Sequence, residues 1–194
     1  MRYRDAGFKG LVHSFEPDPR ALSELNKLAS LRDDSEWEIH PFALGDVESV
    51  ADFYQWSVEG GSSSLKRQSE EGQDFTRVDQ ASLEMVSVPV KKLEGVLAAS
   101  DFDDKNALLK IDVQGFEIEV LRGIGSDLLK RFAVIDIEIP LYNVYKDGGN
   151  FVEIFSHLTD SGFVPYSIQS ERWHGGGYGV ADCDVLLVHE SKIR

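Results

Sequence analysis

The sequence predicts an α/β fold, a parallel sheet flanked by helices. Three observations predict it. Short apolar runs such as Ala107–Ile111 and Phe132–Ile139 have the length and composition of buried strands. Segments with helical periodicity alternate with them, as in Leu22, Leu25, Leu28 and Leu31. The connections between them are short, which favours strand–helix–strand units with parallel strands.

The elements follow in order. Leu11–Phe15 is a strand. Asp18-Pro19 opens a helix, with Asp18 as N-cap and Pro19 at the first helical position. Its leucines form a buried stripe, and Asp33-Asp34-Ser35 ends it. Trp37–Phe42 is the next strand, and Val47–Val58 holds another. Residues 60–80 are rich in Ser, Gly and charge without a period, so they are expected to form a mobile loop or insertion. Met85–Val90 is strand-like and Lys91–Ala99 a short helix. After the charged connector Asp101–Asn106, a strand ends near Asp112, Gly115 permits a tight turn, and a helix follows. That helix has Glu117 and Glu119 at its start and Arg122 near its end, as the macrodipole favours, with Gly123 and Gly125 as stop signals. Phe132–Ile139 is a strand, Phe151–Ser161 a helix, and Val164–Ile168 and Val185–His189 are closing strands. Trp173–Gly179 is a glycine-rich loop.

Composition narrows the function. The 194 residues fit one domain, and 42% hydrophobic content suffices for a core. A net charge of −14 argues against nucleic-acid and anionic-membrane partners. The lone cysteine excludes an internal disulfide, and its neighbours Asp182 and Asp184 make Cys183 a poor nucleophile. No apolar run approaches a membrane span and no signal-peptide core opens the chain, so a cytoplasmic location is expected.

Several acidic residues fall where ligands bind in open α/β sheets, at the carboxyl ends of strands. Glu16 ends the first strand before Pro17, and its carboxylate offers acceptors for hydroxyls; the other reading is an ordinary acidic residue before a helix. Asp46 follows Ala43-Leu44-Gly45 and reads equally as a turn residue. Asp112 is acidic within an apolar strand and needs a partner, a ligand or water. It reads as a ligand for an ammonium group, a general base, or a helix cap. Glu138 sits on the neighbouring strand with Asp136 at the same parity, and one of that pair can be a salt-bridge partner. Glu117 lies one turn beyond Asp112, either reaching the same cleft or exposed at the helix start. His13, His40, His157, His174 and His189 show no ligand spacing, so no metal is expected.

The stretch Lys110-Ile111-Asp112-Val113-Gln114-Gly115, with Glu117, Glu119 and Leu121-Arg122-Gly123 after it, closely resembles the FkbM-type family of S-adenosylmethionine-dependent methyltransferases. Phe15-Glu16-Pro17-Asp18-Pro19 and Ala43-Leu44-Gly45 match further family patterns. Ser62–Leu65, Val88–Glu94 and Asp182–Val188 match more weakly, all in the family's order. The resemblance implies a Rossmann-like methyltransferase sheet over 1–194. It also implies O-methylation of a hydroxyl on a sugar or glycosylated small molecule, with S-adenosylmethionine as cofactor. It casts Glu16 as ribose ligand, Ala43, Leu44 and Asp46 as adenine neighbours, and Asp112 as cofactor ligand or base. Glu138 becomes an acceptor or base residue. Separately, loops commonly bind substrates and aromatic rings stack on sugar faces, so Ser64 and Trp173 with Glu117 read as lining an acceptor pocket, the other reading for Ser64 and Trp173 being solvent-exposed turns. The family's first strand and glycine-rich loop have no counterpart, since Met1–Gly10 resembles the end of the helix after that loop. The expectation is an N-terminally incomplete domain that binds the cofactor weakly or not at all. The alternative is a noncatalytic ligand-binding or interaction module of the same fold.

Overall fold

A computed structural model describes residues 2–56, 63–70, 83–97, 107–142, 144–170 and 182–193. Helix α1 (Arg2–Asp5) precedes strand β1 (Val12–Phe15), helix α2 (Pro19–Arg32) and strand β2 (Trp37–His40). Strands β3 (Ala43–Leu44), β4 (Ser49–Trp56) and β5 (Leu83–Lys91) follow, then the short helix α3 (Leu93–Val96). The second half runs β6 (Leu108–Ile111), α4 (Glu117–Ile124), α5 (Ser126–Leu129), β7 (Val134–Pro140), α6 (Phe151–Asp160), β8 (Phe163–Gln169) and β9 (Asp182–His189).

The strands form three sheets, not one. β1 and β2 pair in parallel. β5 pairs in parallel with β3 and antiparallel with β4. The third sheet has the order β6-β7-β9-β8, with β6 and β7 parallel and the remaining pairs antiparallel. Parallel pairing therefore holds for the strands joined through helices, while β9 and β8 run antiparallel at the other end. β1 and β6 are both edge strands among the described residues, and sheet edges are the places where a further strand can pair.

Three local expectations are corrected. The strand expected over Trp37–Phe42 stops at His40, and Ala43–Leu44 joins a different sheet. Pro41, which lacks an N–H to donate to a ladder, sits at the break. The leucine stripe of α2 is only half-buried, and Leu31 is 85% exposed. This helix packs on β2 of a two-stranded sheet, too narrow a floor to cover it. Gly123 does not end its helix but lies inside α4, against the β3 segment. A Cβ there would stand 1.9 Å from the Gly45 carbonyl oxygen, so only glycine allows this approach of helix to strand.

The core lies where α4 and α6 cover the third sheet. β7 alternates strictly, with Ile135, Ile137 and Ile139 fully buried and Asp136 and Glu138 on the other face. Ile118, Leu121 and Ile124 of α4, Ile154 and Leu158 of α6, and Phe163, Val185 and Leu187 complete it. Asn150 caps α6 by accepting from the Glu153 N–H at 3.0 Å.

Candidate functional site

The chain leaves β6 at Ile111 and turns through Asp112-Val113-Gln114-Gly115 before entering α4. Gln114 and Gly115 both have positive φ, 57° and 97°. A side chain at Gly115 is doubly excluded, because a Cβ would lie 2.4 Å from Tyr145 Cγ. The turn therefore needs this glycine, and Tyr145 stacks directly on it.

This turn assembles a hydrogen-bonded acidic cluster. Gln114 Nε2 donates to Asp112 Oδ1 at 2.8 Å and to Glu138 Oε1 at 3.1 Å. The Tyr145 hydroxyl donates to Gln114 Oε1 at 2.5 Å. The two carboxylates from neighbouring strands are thus linked through one amide. Asp112 itself is exposed, past the end of β6, rather than held within an apolar strand. It caps no helix either, since Phe116 occupies the N-cap position of α4. Asp136 takes the salt-bridge role, 3.4 Å from Lys110 Nζ, which also reaches Asp184.

Glu117 is buried, at 2% exposure, and both its oxygens accept from the Gly115 N–H, at 3.0 and 3.1 Å. Burial raises its pKa above the usual carboxylate range, partly opposed by the hydrogen bonds to Gly115 and other backbone groups. Expected as a substrate neighbour or an exposed dipole partner, it instead pins the turn from inside. Burial also pushes the Tyr145 phenol far up, reinforced by the negative charges of Glu117, Glu138, Asp112 and Asp182. Tyr145 therefore stays protonated and acts as a donor.

The polar segment after β4 is not loose at this point. Ser64 is buried and exchanges backbone hydrogen bonds with Tyr54. Its hydroxyl donates to the Gln114 carbonyl at 2.5 Å and accepts from the Lys66 N–H at 2.9 Å. Ser64 thus holds the turn rather than facing solvent. Lys66 pairs with Glu119 at 2.5 Å, donates to the Asp147 carbonyl and lies over the Phe116 ring. Backbone bonds from Ser69 to Val144 and from Lys146 to Arg67 tie the same segment to the Tyr145 loop. Trp173 lies outside the described residues.

At the end of β1, Glu16 Oε1 accepts from the Asp18 N–H at 2.8 Å. Burial raises the Glu16 pKa, with the Asp18 charge adding to it and the Asp18 N–H opposing it. Asp18 is the N-cap the sequence predicts, accepting from the Arg20 N–H at 2.9 Å. It also receives Gln55 Nε2 at 2.7 Å and the Arg20 guanidinium at 2.8 Å, ties that no local pattern signals. Ala43 and Leu44 are buried and Leu44 belongs to the core, whereas Asp46 is half-buried. The structure also brings His13, Glu38 and His40 together across β1 and β2, a cluster their spacing along the chain hides.

An acidic turn beside a β-strand end, an amide joining two carboxylates and a protonated tyrosine suit a cationic or hydroxyl-bearing ligand. A family model described as "Methyltransferase FkbM domain" matches residues 1–165. No curated protein matches the chain. Methyltransferase FkbM from Methylobacillus flagellatus KT, a crystal structure, is similar with a TM-score of 0.50 at 14% identity, over 90% of this chain and 36% of that one. At that identity the likeness speaks for the fold, and this chain spans about a third of the solved one.

Proposed function

Because the chain belongs to the FkbM methyltransferase domain family, we propose that it takes part in methyl transfer from S-adenosylmethionine to a hydroxyl group, on a sugar or a glycosylated small molecule. The observation that carries this reading is the Asp112–Gln114–Glu138 cluster at the ends of β6 and β7. The cofactor is a cation at sulfur and at its ammonium group, and the residues present fit it. Asp112, Glu138 and Asp182 all act on Tyr145, an acidic surrounding that suits a positive charge.

When bound, S-adenosylmethionine supplies an electrophilic methyl carbon. Glu16 would hold the ribose hydroxyls: the Asp18 N–H fixes one of its oxygens and leaves acceptor capacity on the other. Asp46, half-buried beyond β3, would be the polar group offered to the adenine; Ala43 and Leu44 are buried and are better read as core packing. Asp112, exposed and oriented by Gln114, would hold the ammonium group. Glu138, half-buried and held by the same amide, would take the acceptor hydroxyl's proton as the hydroxyl oxygen bonds to the methyl carbon and the carbon–sulfur bond breaks, releasing S-adenosylhomocysteine. Alignment of the reacting groups then supplies most of the rate gain. Among the described residues no helix is long and apolar enough to cross a membrane.

The test is transfer of an isotope-labelled methyl group from S-adenosylmethionine to a panel of sugars and glycosides. The reading expects label in at least one acceptor and its loss in Glu138→Gln. Label retained at full rate in Glu138→Gln would reject Glu138 as base.

A further inference from the structure

The pairing of β1 with β2 assembles three side chains that methyl transfer does not use. The register sets His13 opposite Glu38 and Phe15 opposite His40. Side chains two apart on a strand share a face, so His13, Glu38 and His40 project together. His13 Nδ1 lies 2.9 Å from His40 Nε2 and 3.6 Å from Glu38 Oε2. His40 Nε2 lies 4.0 Å from the same oxygen. Zinc bound tetrahedrally at about 2.0–2.1 Å sets its ligand atoms about 3.3 Å apart. The three observed separations straddle that value.

The surroundings hold the donors in place. His40 stacks on Phe15, with ring centroids 4.6 Å apart, and on His13 at 5.2 Å. Both imidazoles are mostly buried, while Glu38 is 55% exposed and opens the cluster to solvent. Lys91 acts on the His40 ring, and its ammonium group lies over the Phe42 face at 4.6 Å. Among the described residues His13 Nε2 is buried with no hydrogen-bond partner, and the ring's polar contacts there lie on its Nδ1 side.

We propose that His13, Glu38 and His40 form a site for a divalent transition-metal ion of the zinc type. Two imidazole nitrogens and one carboxylate oxygen match that ion's preferences. The ion would staple β1 to β2, which pair over only four residues each and gain no third strand among the described residues.

The test uses the full chain after chelator treatment. Zinc chloride is titrated in competition with a chromophoric chelator, and cobalt loading is read by visible absorption. The proposal expects one bound equivalent, cobalt bands of low-coordinate geometry, and a zinc-dependent rise in the unfolding temperature. Glu38→Gln weakens zinc by about tenfold or more, and His40→Gln removes both the bands and the thermal rise. Circular dichroism checks that each variant is folded; Glu38 is exposed enough for its substitution to leave the fold intact. No bound equivalent in the wild type, or equal affinity in wild type and Glu38→Gln, would overturn the site.

Discussion

The Tyr145 hydroxyl donates to the Gln114 side-chain oxygen at 2.5 Å, and this one bond decides which way the amide faces. With its oxygen committed to Tyr145, the amide must turn its nitrogen toward Asp112 and Glu138. Both carboxylates are thereby oriented by one neutral donor.

Tyr145→Phe tests that arrangement. The ring that packs on Gly115 stays, and only the donor is lost. The expected cost in stability is about 1 kcal/mol, read by denaturant unfolding. Cofactor affinity should fall by about tenfold, as for other supporting contacts that orient a ligand. An affinity equal to wild type would show that the amide needs no such anchor.

Gly115→Ala should be far more damaging. The new Cβ meets Tyr145 at 2.4 Å, and φ of 97° is strained for any L side chain. Strain and overpacking together amount to about 2–5 kcal/mol. Thermal unfolding measures this, and a loss much below that range would show that the turn tolerates a side chain there.

Asp18→Ala removes an N-cap, an ion pair and the acceptor for buried Gln55 at once. A loss of about 2–4 kcal/mol is expected from the cap and the orphaned amide. The Arg20 side-chain bond and charge, with the hydrogen bonds from the Arg20 N–H and Gln55, outweigh burial and hold the Asp18 pKa below its ordinary value. Its contribution is therefore present above the unfolded-state pKa and fades as pH falls through the folded one. Wild type and variant should converge in stability toward strongly acid pH.

Glu117 has the opposite sign. Burial raises its folded pKa, so its contribution is full below the unfolded value and lost as pH rises through the raised one. Relative to Glu117→Gln, the wild type should gain stability as pH falls from neutral toward mild acid. Chemical denaturation at several pH values reads the difference; a gap independent of pH would show that Glu117 is ionised normally.

The signature from Lys110 to Gly123 was readable because it packs a strand end, a glycine turn and a dipole-matched helix into contiguous residues. Local caps were readable too, Asp18 among them. What escaped reading depends on tertiary register. Nothing near Ser64 announces that it buries against Gln114, since a serine in a polar stretch looks alike bound or free. Tyr145 lies 31 residues beyond Gln114, and His13 and His40 meet only because β1 and β2 align in one register. The single sheet expected from alternating strands and helices divides into three because strand alternation does not encode which edges close.

The most direct measurement is calorimetric titration of S-adenosylmethionine into the chain and into Glu16→Gln and Asp112→Asn. The account predicts saturable one-to-one binding, weak in the wild type and lowered about tenfold or more by each substitution, the worth of one hydrogen bond to a charged group. No heat of binding, or an affinity that neither substitution changes, would contradict it.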